Sequence, residues 1–213
     1  MQGRFCRVEQ LSSSAHLDDL YDAFSDDREG VLWTYMAVGP FSSKDAFRVW
    51  LETVSESDDP LFHAIIDLST GRAVGVAAYM RIQPDVGVIE VGNITFSPAL
   101  QKTPQATEAM FLMMQRVFDE LGYRRYEWKC DSLNAASRKS AERLGFSFDG
   151  IFEQAIVYKG RNRDTAWYSI LDRDWPDLRD AYIGWLDPDN FDDQGLQQRT
   201  LKRFASLKRP SDA

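Results

Sequence analysis

The apolar pattern of the chain changes from a strand period to a helix period between residues 86 and 121. The segment VGVIEVGNITF, residues 86–96, reads as a strand, whereas apolar residues after position 105 recur at steps of three and four for four turns. These helix-face residues are Ala106, Ala109, Met110, Met113, Met114, Val117, Phe118 and Leu121. Gly122 follows at a position where helices commonly end. The sequence therefore predicts a strand, a short polar loop and a long amphipathic helix with its methionines in the core.

Shorter elements surround this unit. Residues 4–11 alternate as a strand and are followed by two helical segments, and residues 61–69 and 72–82 read as strands joined by tight turns. A strand, a helix and two closing strands follow the long helix. The predicted order is strand, two helices, three strands, helix, strand, helix and two strands, with an antiparallel meander in the middle.

Composition and charge disfavour several classes of function. The net charge of -8 argues against binding nucleic acid or an anionic membrane, because both need clustered Lys and Arg, and it suits a cationic substrate. Cys6 and Cys130 lie far apart and outside any metal-ligand spacing, so neither a disulfide framework nor a metal site is expected. No apolar run approaches the ~18 residues of a membrane span, and the first ten residues lack a signal-peptide layout. We expect a cytoplasmic protein.

The polar loop before the long helix is a candidate anion site. Unpaired N–H groups and the helix dipole converge on a helix N-terminus and favour a bound phosphate there. Thr103 is a candidate cap, and Pro104 suits the first helical position. Gln101 and Lys102 would flank the anion, and Thr107 lies one turn into the helix. A capped helix start that binds only water is the alternative.

A second segment, NAASRKSAERLGFSFDG, resembles the motif after the fifth strand of the GNAT superfamily of N-acetyltransferases, especially the RimJ/RimL branch of ribosomal-protein N-terminal acetylases. The matching residues are Asn134, Ser137, Glu142, Leu144, Gly145, Phe146 and Gly150, and Glu90, Val91 and Gly92 match that branch's fourth strand. The resemblance implies an α+β GNAT fold, with a mixed, mostly antiparallel sheet of six to seven strands and helices on both faces. We predict a GNAT domain over residues 1–174 and a C-terminal helical extension, residues 175–213, packed on it.

The resemblance also implies acetyl-CoA as the co-substrate, no metal, and direct transfer of the acetyl group to a primary amine. The residues that correspond to the family's diphosphate loop are Gln101, Lys102, Thr103, Pro104, Gln105 and Ala106, with Thr107 facing the same spot. Pro104 replaces the family's glycine, which removes one N–H donor, and Lys102 is expected to compensate by its charge. The amides of Ile94 or Phe96 are candidate oxyanion donors, and Asn134 is either a CoA contact or a helix cap.

Three side chains are candidates for the chemistry. Glu90 interrupts an apolar strand and is the first candidate for the general base, acting directly or through water, with a salt-bridged structural carboxylate as the alternative. Asp164 on the last strand is the second candidate base. Ser137 is predicted to protonate the departing thiolate, or else to satisfy local backbone groups. The tryptophans that either line an acceptor pocket or fill the interior are Trp33, Trp50, Trp128 and Trp167.

The sequence leaves the acceptor open between a small-molecule amine and a protein N-terminus. A catalytically silent GNAT-fold module that binds CoA or a protein partner is the alternative function. Pro104 favours this alternative, whereas Glu90 together with Asn134 and Ser137 favours the acetyltransferase. The helix that begins at Trp175 carries a large apolar face, which we expect to pack on its own chain in a monomer or homodimer. The residues of that face are Leu178, Tyr182, Trp185 and Leu186.

Overall fold

The computed structural model describes residues 1–206, and its elements follow the order predicted from the sequence. The strands are β1 (Cys6–Gln10), β2 (Leu61–Asp67), β3 (Ala73–Gln83), β4 (Val88–Phe96), β5 (Arg125–Asp131), β6 (Ser147–Tyr158) and β7 (Arg161–Leu171). The helices are α1 (Ser13–Ser25), α2 (Lys44–Ser55), α3 (Pro104–Gln115), α4 (Ala135–Arg143), α5 (Trp175–Leu186) and α6 (Leu201–Ser206). The seven strands form one sheet in the order β1-β2-β3-β4-β5-β7-β6, with β4 and β5 parallel and every other neighbouring pair antiparallel. The predicted α+β class and mixed sheet are confirmed.

The helices cover the two faces of the sheet unequally. Alternate residues of a strand point to opposite faces, and Ala64 of β2 and Val76 of β3 enter a core that they share with α1 and α2. We call this side the front face. The back face carries the larger core, in which Ile65, Tyr79 and Tyr126 pack with α3, α4 and α5. Because α1 and α2 pack on β3 and β2, the front face stays open over β4, β5 and β7.

The long helix differs from its prediction only near its end. The methionine stripe Met110, Met113 and Met114 is buried in the back core, as predicted. After Gln115 the helix widens into a π-helical turn at Arg116–Glu120. A π turn contains more residues than an α turn, so it moves the next residues off the predicted apolar face. Leu121 was therefore wrongly placed on that face, and it is 48% exposed.

The β4 and β5 strands separate halfway along their length. Their parallel pairing ends at Val91 and Trp128, although β4 continues to Phe96 and β5 to Asp131. The register of β4 against β3 also shifts just beyond this point, where Asn93 has a φ of 48°. A bulge of this kind bends a strand away from its neighbour. The result is an opening between the carboxyl ends of two central strands.

The α5 helix packs on the back face. Tyr182 is buried, its hydroxyl donates to the carbonyl of Leu144 over 2.9 Å, and its ring stacks on Phe111. Gly145 of the sequence motif has a φ of +97°, and a Cβ atom there would lie 2.7 Å from the Leu178 side chain. Glycine at this position therefore permits both the turn after α4 and the close approach of α5.

The chain after α5 folds back on itself. The buried Asn190 side chain donates to the carbonyls of Trp185 and Arg199 and accepts from the Arg199 amide. The Trp185 indole donates to the Gln197 side chain over 2.7 Å. The end of the predicted extension, residues 207–213, lies outside the described residues, and the division of the chain at residue 174 stays a prediction.

Two features are absent from residues 1–206. No helix there has the length and apolar character needed to cross a membrane. No three or more His, Cys, Asp or Glu side chains in this range are grouped so that they could hold a metal ion. Cys6 and Cys130 are buried free thiols.

Candidate active site

A cleft of about 1810 Å³ crosses the molecule where β4 and β5 separate. Its walls come from the ends of β4 and β5, the starts of α3 and α4, and the open front face of β7. Further walls come from the loop at residues 31–37, from β6 and from the chain after α5. The cleft therefore connects a helix N-terminus on the back of the sheet with a polar surface on its front.

The start of α3 has the predicted cap. Thr103 Oγ1 accepts from the Ala106 amide over 3.2 Å and donates to the Leu100 carbonyl over 2.6 Å, and Pro104 occupies the first turn. The cap and the proline position are confirmed. Because the Thr103 hydroxyl and the Ala106 amide already bind one another, neither is free to bind a phosphate oxygen unless the cap opens.

The part of the cleft near this helix start carries cationic side chains. Lys102, Lys139 and Arg143 all line the cleft. Arg143, at the end of α4, donates from Nη2 to Thr107 Oγ1 over 2.7 Å, and Thr107 is itself buried. The predicted Thr107 hydroxyl thus faces the cleft with a guanidinium beside it. This end of the cleft is cationic in a chain whose net charge is -8.

The remaining predicted cofactor residues divide into two groups. Ile94 and Phe96 line the cleft on the part of β4 that has left β5, so N–H groups on that edge can face a ligand. Gln101 lines the cleft, but its side chain donates to the Phe96 carbonyl over 3.0 Å. Ala106 lines the cleft, and Gln105 does not.

Asn134 and Ser137 join the start of α4 to β5. Asn134 caps the helix, and its side-chain oxygen accepts from the Ser137 amide over 3.0 Å. Ser137 Oγ accepts from the Trp128 indole over 3.0 Å, which leaves its own proton available for donation. Both residues line the cleft. Burial raises the pKa of the neighbouring Cys130 thiol, which disfavours a nucleophilic thiolate at that position.

Glu90 lies on the front face within an ion-pair network. Its side chain is 3% exposed, and Oε2 accepts from Arg81 and from Lys129, the latter over 2.7 Å. Lys129 also binds Glu127 over 2.7 Å and lies 3.9 Å from the ring centre of Trp167. Glu90 is therefore salt-bridged, which is the alternative to the base role predicted for this residue from the sequence.

Asp164 is not brought to the cleft. Arg163 and Thr165 line it, and Asp164 lies between them on β7, so its side chain points to the other face. Its carboxylate accepts from the Gln154 amide over 2.7 Å and from Asn162 over 2.9 Å. These hydrogen bonds lower the pKa of Asp164. The hydrogen bond from Gln154 also stabilises the left-handed backbone conformation of that β6 residue, whose φ is 50°.

Comparison with known proteins identifies the family. Residues 7–147 match the family model described as the acetyltransferase (GNAT) domain. The chain belongs to the GNAT acetyltransferase family. GNAT acetyltransferases use acetyl-CoA as the co-substrate, and this chain is accordingly an acyltransferase.

Solved GNAT structures resemble the chain over most of its length. A GCN5-related N-acetyltransferase of Brucella melitensis is 50% identical, covers 97% of this chain and 93% of its own, and superposes with a TM-score of 0.95. A protein of Chromobacterium violaceum assigned to the GNAT family is 40% identical over 82% of this chain and 87% of its own, with a TM-score of 0.77. A Salmonella typhimurium acetyltransferase that modifies the N-terminal serine of a 50S ribosomal subunit protein shares the fold, at 18% identity, 79% and 96% coverage, and a TM-score of 0.67. The search of curated proteins gave no match.

Several cleft residues of this GNAT enzyme were not predicted from its sequence. Lys139 and Arg143 lie inside the recognised α4 motif, and their i, i+4 spacing places both on one side of that helix. Lys129 lies between the buried Trp128 and Cys130 of β5, so its side chain is on the opposite, front face of the sheet. Among the tryptophans, Trp128 and Trp167 line the cleft. The other two pack against each other in the front core, namely Trp33 and Trp50.

Proposed function

We propose that this GNAT enzyme transfers the acetyl group of acetyl-CoA directly to a primary amine, with both substrates bound together. The observation that carries the proposal is the single continuous cleft, because it leads from a cationic helix start to the front face that holds Glu90. A ternary complex needs this geometry, in which the thioester and the amine approach one point from opposite sides of the sheet.

The diphosphate of CoA is assigned to the start of α3. Pro104 offers no N–H, and the Ala106 amide is bonded to Thr103, so side-chain cations must supply more of the binding than in a glycine-containing loop. Lys102 belongs to this loop, and Arg143 contacts Thr107 one turn into α3, so these two side chains are the candidate cations. The pantetheine arm is assigned to the gap between the separated ends of β4 and β5.

The chemistry needs a base, an oxyanion donor and an acid. Glu90 remains our candidate base, acting through water by Oε1, which makes no hydrogen bond with any residue of the described range. The Ile94 or Phe96 amide is assigned to the oxyanion. Ser137 is assigned as the proton donor to the thiolate, because its oxygen already accepts from Trp128 and its hydroxyl can still donate.

Thermal unfolding and thiol release test the cofactor assignment together. Saturating CoA should raise the Tm of the wild-type protein, and Lys102→Glu or Arg143→Glu should reduce that shift. Lys44→Glu is a matched control, because Lys44 pairs with Asp18 on the exposed side of α1 and α2. An unchanged Tm with both CoA and acetyl-CoA would contradict the assignment. Binding without thiol release over a broad panel of amines would instead favour the silent alternative.

A pair of carboxylate variants tests the base. Glu90→Gln should preserve the Tm shift with CoA and lower kcat near neutral pH by on the order of 10²-fold, with partial recovery as pH rises. Glu127→Gln also removes a carboxylate from Lys129, but Glu127 does not line the cleft, so its kcat should stay close to that of wild type. Equal losses in the two variants would show that the Lys129 network matters and that Glu90 is not the base.

We further propose, on the sequence motif alone, that the enzyme belongs to the RimJ/RimL-type branch of the family. The Salmonella typhimurium acetyltransferase, which modifies a ribosomal N-terminal serine, shares the fold at 18% sequence identity. Thiol release with short peptides that differ only in a free or blocked N-terminus would test whether a protein N-terminus is an acceptor.

A further inference from the structure

The front end of the cleft contains an unusual concentration of unsatisfied polar atoms. Five buried side-chain polar atoms among residues 1–206 have no hydrogen-bond partner. Four of the five belong to residues that line the cleft, and the fifth, Tyr126 Oη, lies in the back core. The four cleft atoms are Thr95 Oγ1, Arg163 Nε, Thr165 Oγ1 and Trp167 Nε1. Buried polar groups are nearly always paired with protein, water or a ligand, so this clustering marks the front end of the cleft as a polar binding surface.

Three of these atoms form a row on one strand. Arg163, Thr165 and Trp167 are alternate residues of β7, so their side chains share a face. Trp167 pairs with Lys129 across the sheet, and Lys129 binds Glu90, which places the row on the front face beside the candidate base. The row runs about 13 Å along β7 from Trp167, beside Glu90, to Arg163, so a molecule that touches both ends must be extended.

The row supplies hydrogen-bond donors and a positive charge. An indole N–H and a guanidinium N–H are donors only, and the Thr165 hydroxyl can donate as well. Within the described part of the chain, Arg163 has no carboxylate at ion-pair distance, in contrast to its neighbour Arg161, which binds Asp131 over 3.0 Å. Donors together with an unbalanced guanidinium match a carboxylate better than a neutral carbonyl, because charge-assisted and two-pronged bonds are the stronger ones.

We propose that the acceptor is a small amino carboxylate, whose amine lies at Glu90 and whose carboxylate is bound by Arg163, Thr165 and Trp167. This inference rests on the proposed function and names its substrate class. Recognition of this kind discriminates strongly against an acceptor that lacks the carboxylate, because the buried donors are then left unpaired.

Matched acceptor pairs test the proposal through thiol release from acetyl-CoA. The panel contains α-amino acids, β-alanine, γ-aminobutyrate and 5-aminovalerate, each beside its own carboxamide. We expect at least one acid to exceed its amide in kcat/KM by 10-fold or more. Arg163→Gln should remove most of that preference through KM, whereas Arg161→Gln, which alters a neighbouring paired arginine, should retain it.

Thr165→Val supplies a readout that a purely structural role would not give. The substitution removes a hydroxyl that has no partner, so the variant should unfold at the same or a higher Tm than wild type, while KM for the preferred acid rises. A lower Tm with an unchanged KM would show that Thr165 stabilises the fold and does not bind the acceptor.

The outcomes separate this inference from the proposed function. Amides that equal their acids, or no turnover of any acid while CoA still raises the Tm, would overturn the carboxylate assignment and leave the CoA site intact. Turnover of simple amines such as polyamines in preference to all acids would overturn it as well. Loss of the CoA effect itself would refute the proposed function instead.

Discussion

Glu108 connects the N-terminal segment to α3, and its replacement by glutamine should destabilise the protein strongly. The carboxylate is 3% exposed, and it accepts from three consecutive backbone amides: Arg4 (2.7 Å), Phe5 (2.7 Å) and Cys6 (2.8 Å). A buried carboxylate whose partners are all donors is fully matched, because both of its oxygens are acceptors. Gly3 also lies against it, since a Cβ atom there would be 2.4 Å from the carboxyl group.

The magnitude follows from the number and kind of bonds. A hydrogen bond to a charged group contributes about 1.5–3 kcal/mol. In Glu108→Gln one side-chain oxygen still accepts, but the new NH₂ group faces N–H donors and leaves at least one backbone amide without an acceptor. We therefore expect the free energy of unfolding to fall by about 3–5 kcal/mol, a large fraction of the 5–15 kcal/mol typical of a folded protein.

Urea unfolding at pH 7 measures this loss, provided that the m-value is unchanged. Glu120→Gln is the matched control. Glu120 is exposed and binds Arg116 one turn away over 3.1 Å, so its replacement should change stability by at most about 0.5 kcal/mol. A Glu108→Gln loss below about 1 kcal/mol would refute the reasoning, since it would mean that the three amides find other partners.

Two further predictions concern stability. Burial lowers the pKa of His63 to about 4, so the unfolded chain takes up this proton first as the pH falls. Wild type should lose about 2 kcal/mol more than His63→Gln between pH 8 and pH 5 in urea unfolding, and equal slopes would contradict this. Truncation after Asp174 removes the buried Tyr182 and Trp185, so the product should aggregate or melt at a lower temperature in calorimetry. A shortened chain with the wild-type Tm would show that the extension is independent of the domain.

The sequence alone determined the features that depend on close neighbours along the chain. The element order, the Thr103 cap, the position of Pro104 and the buried methionine stripe were predictable, because caps and apolar periods involve residues within one or two turns. The family resemblance also identified Asn134 and Ser137 as cleft residues. The exposure of Leu121 was missed, since a π turn breaks the period on which the prediction relied.

The tertiary structure decided which side chains meet. Arg143 reaches Thr107 across 36 positions, and Glu108 reaches Arg4 across 104, and no local pattern encodes either contact. The register of β5 and β7 likewise turned Asp164 away from the cleft while it aligned Thr165 with the open front face. The physical reason is that a strand exposes alternate residues to opposite faces, so the pairing of two strands and the helices that cover them determine which residues form the site.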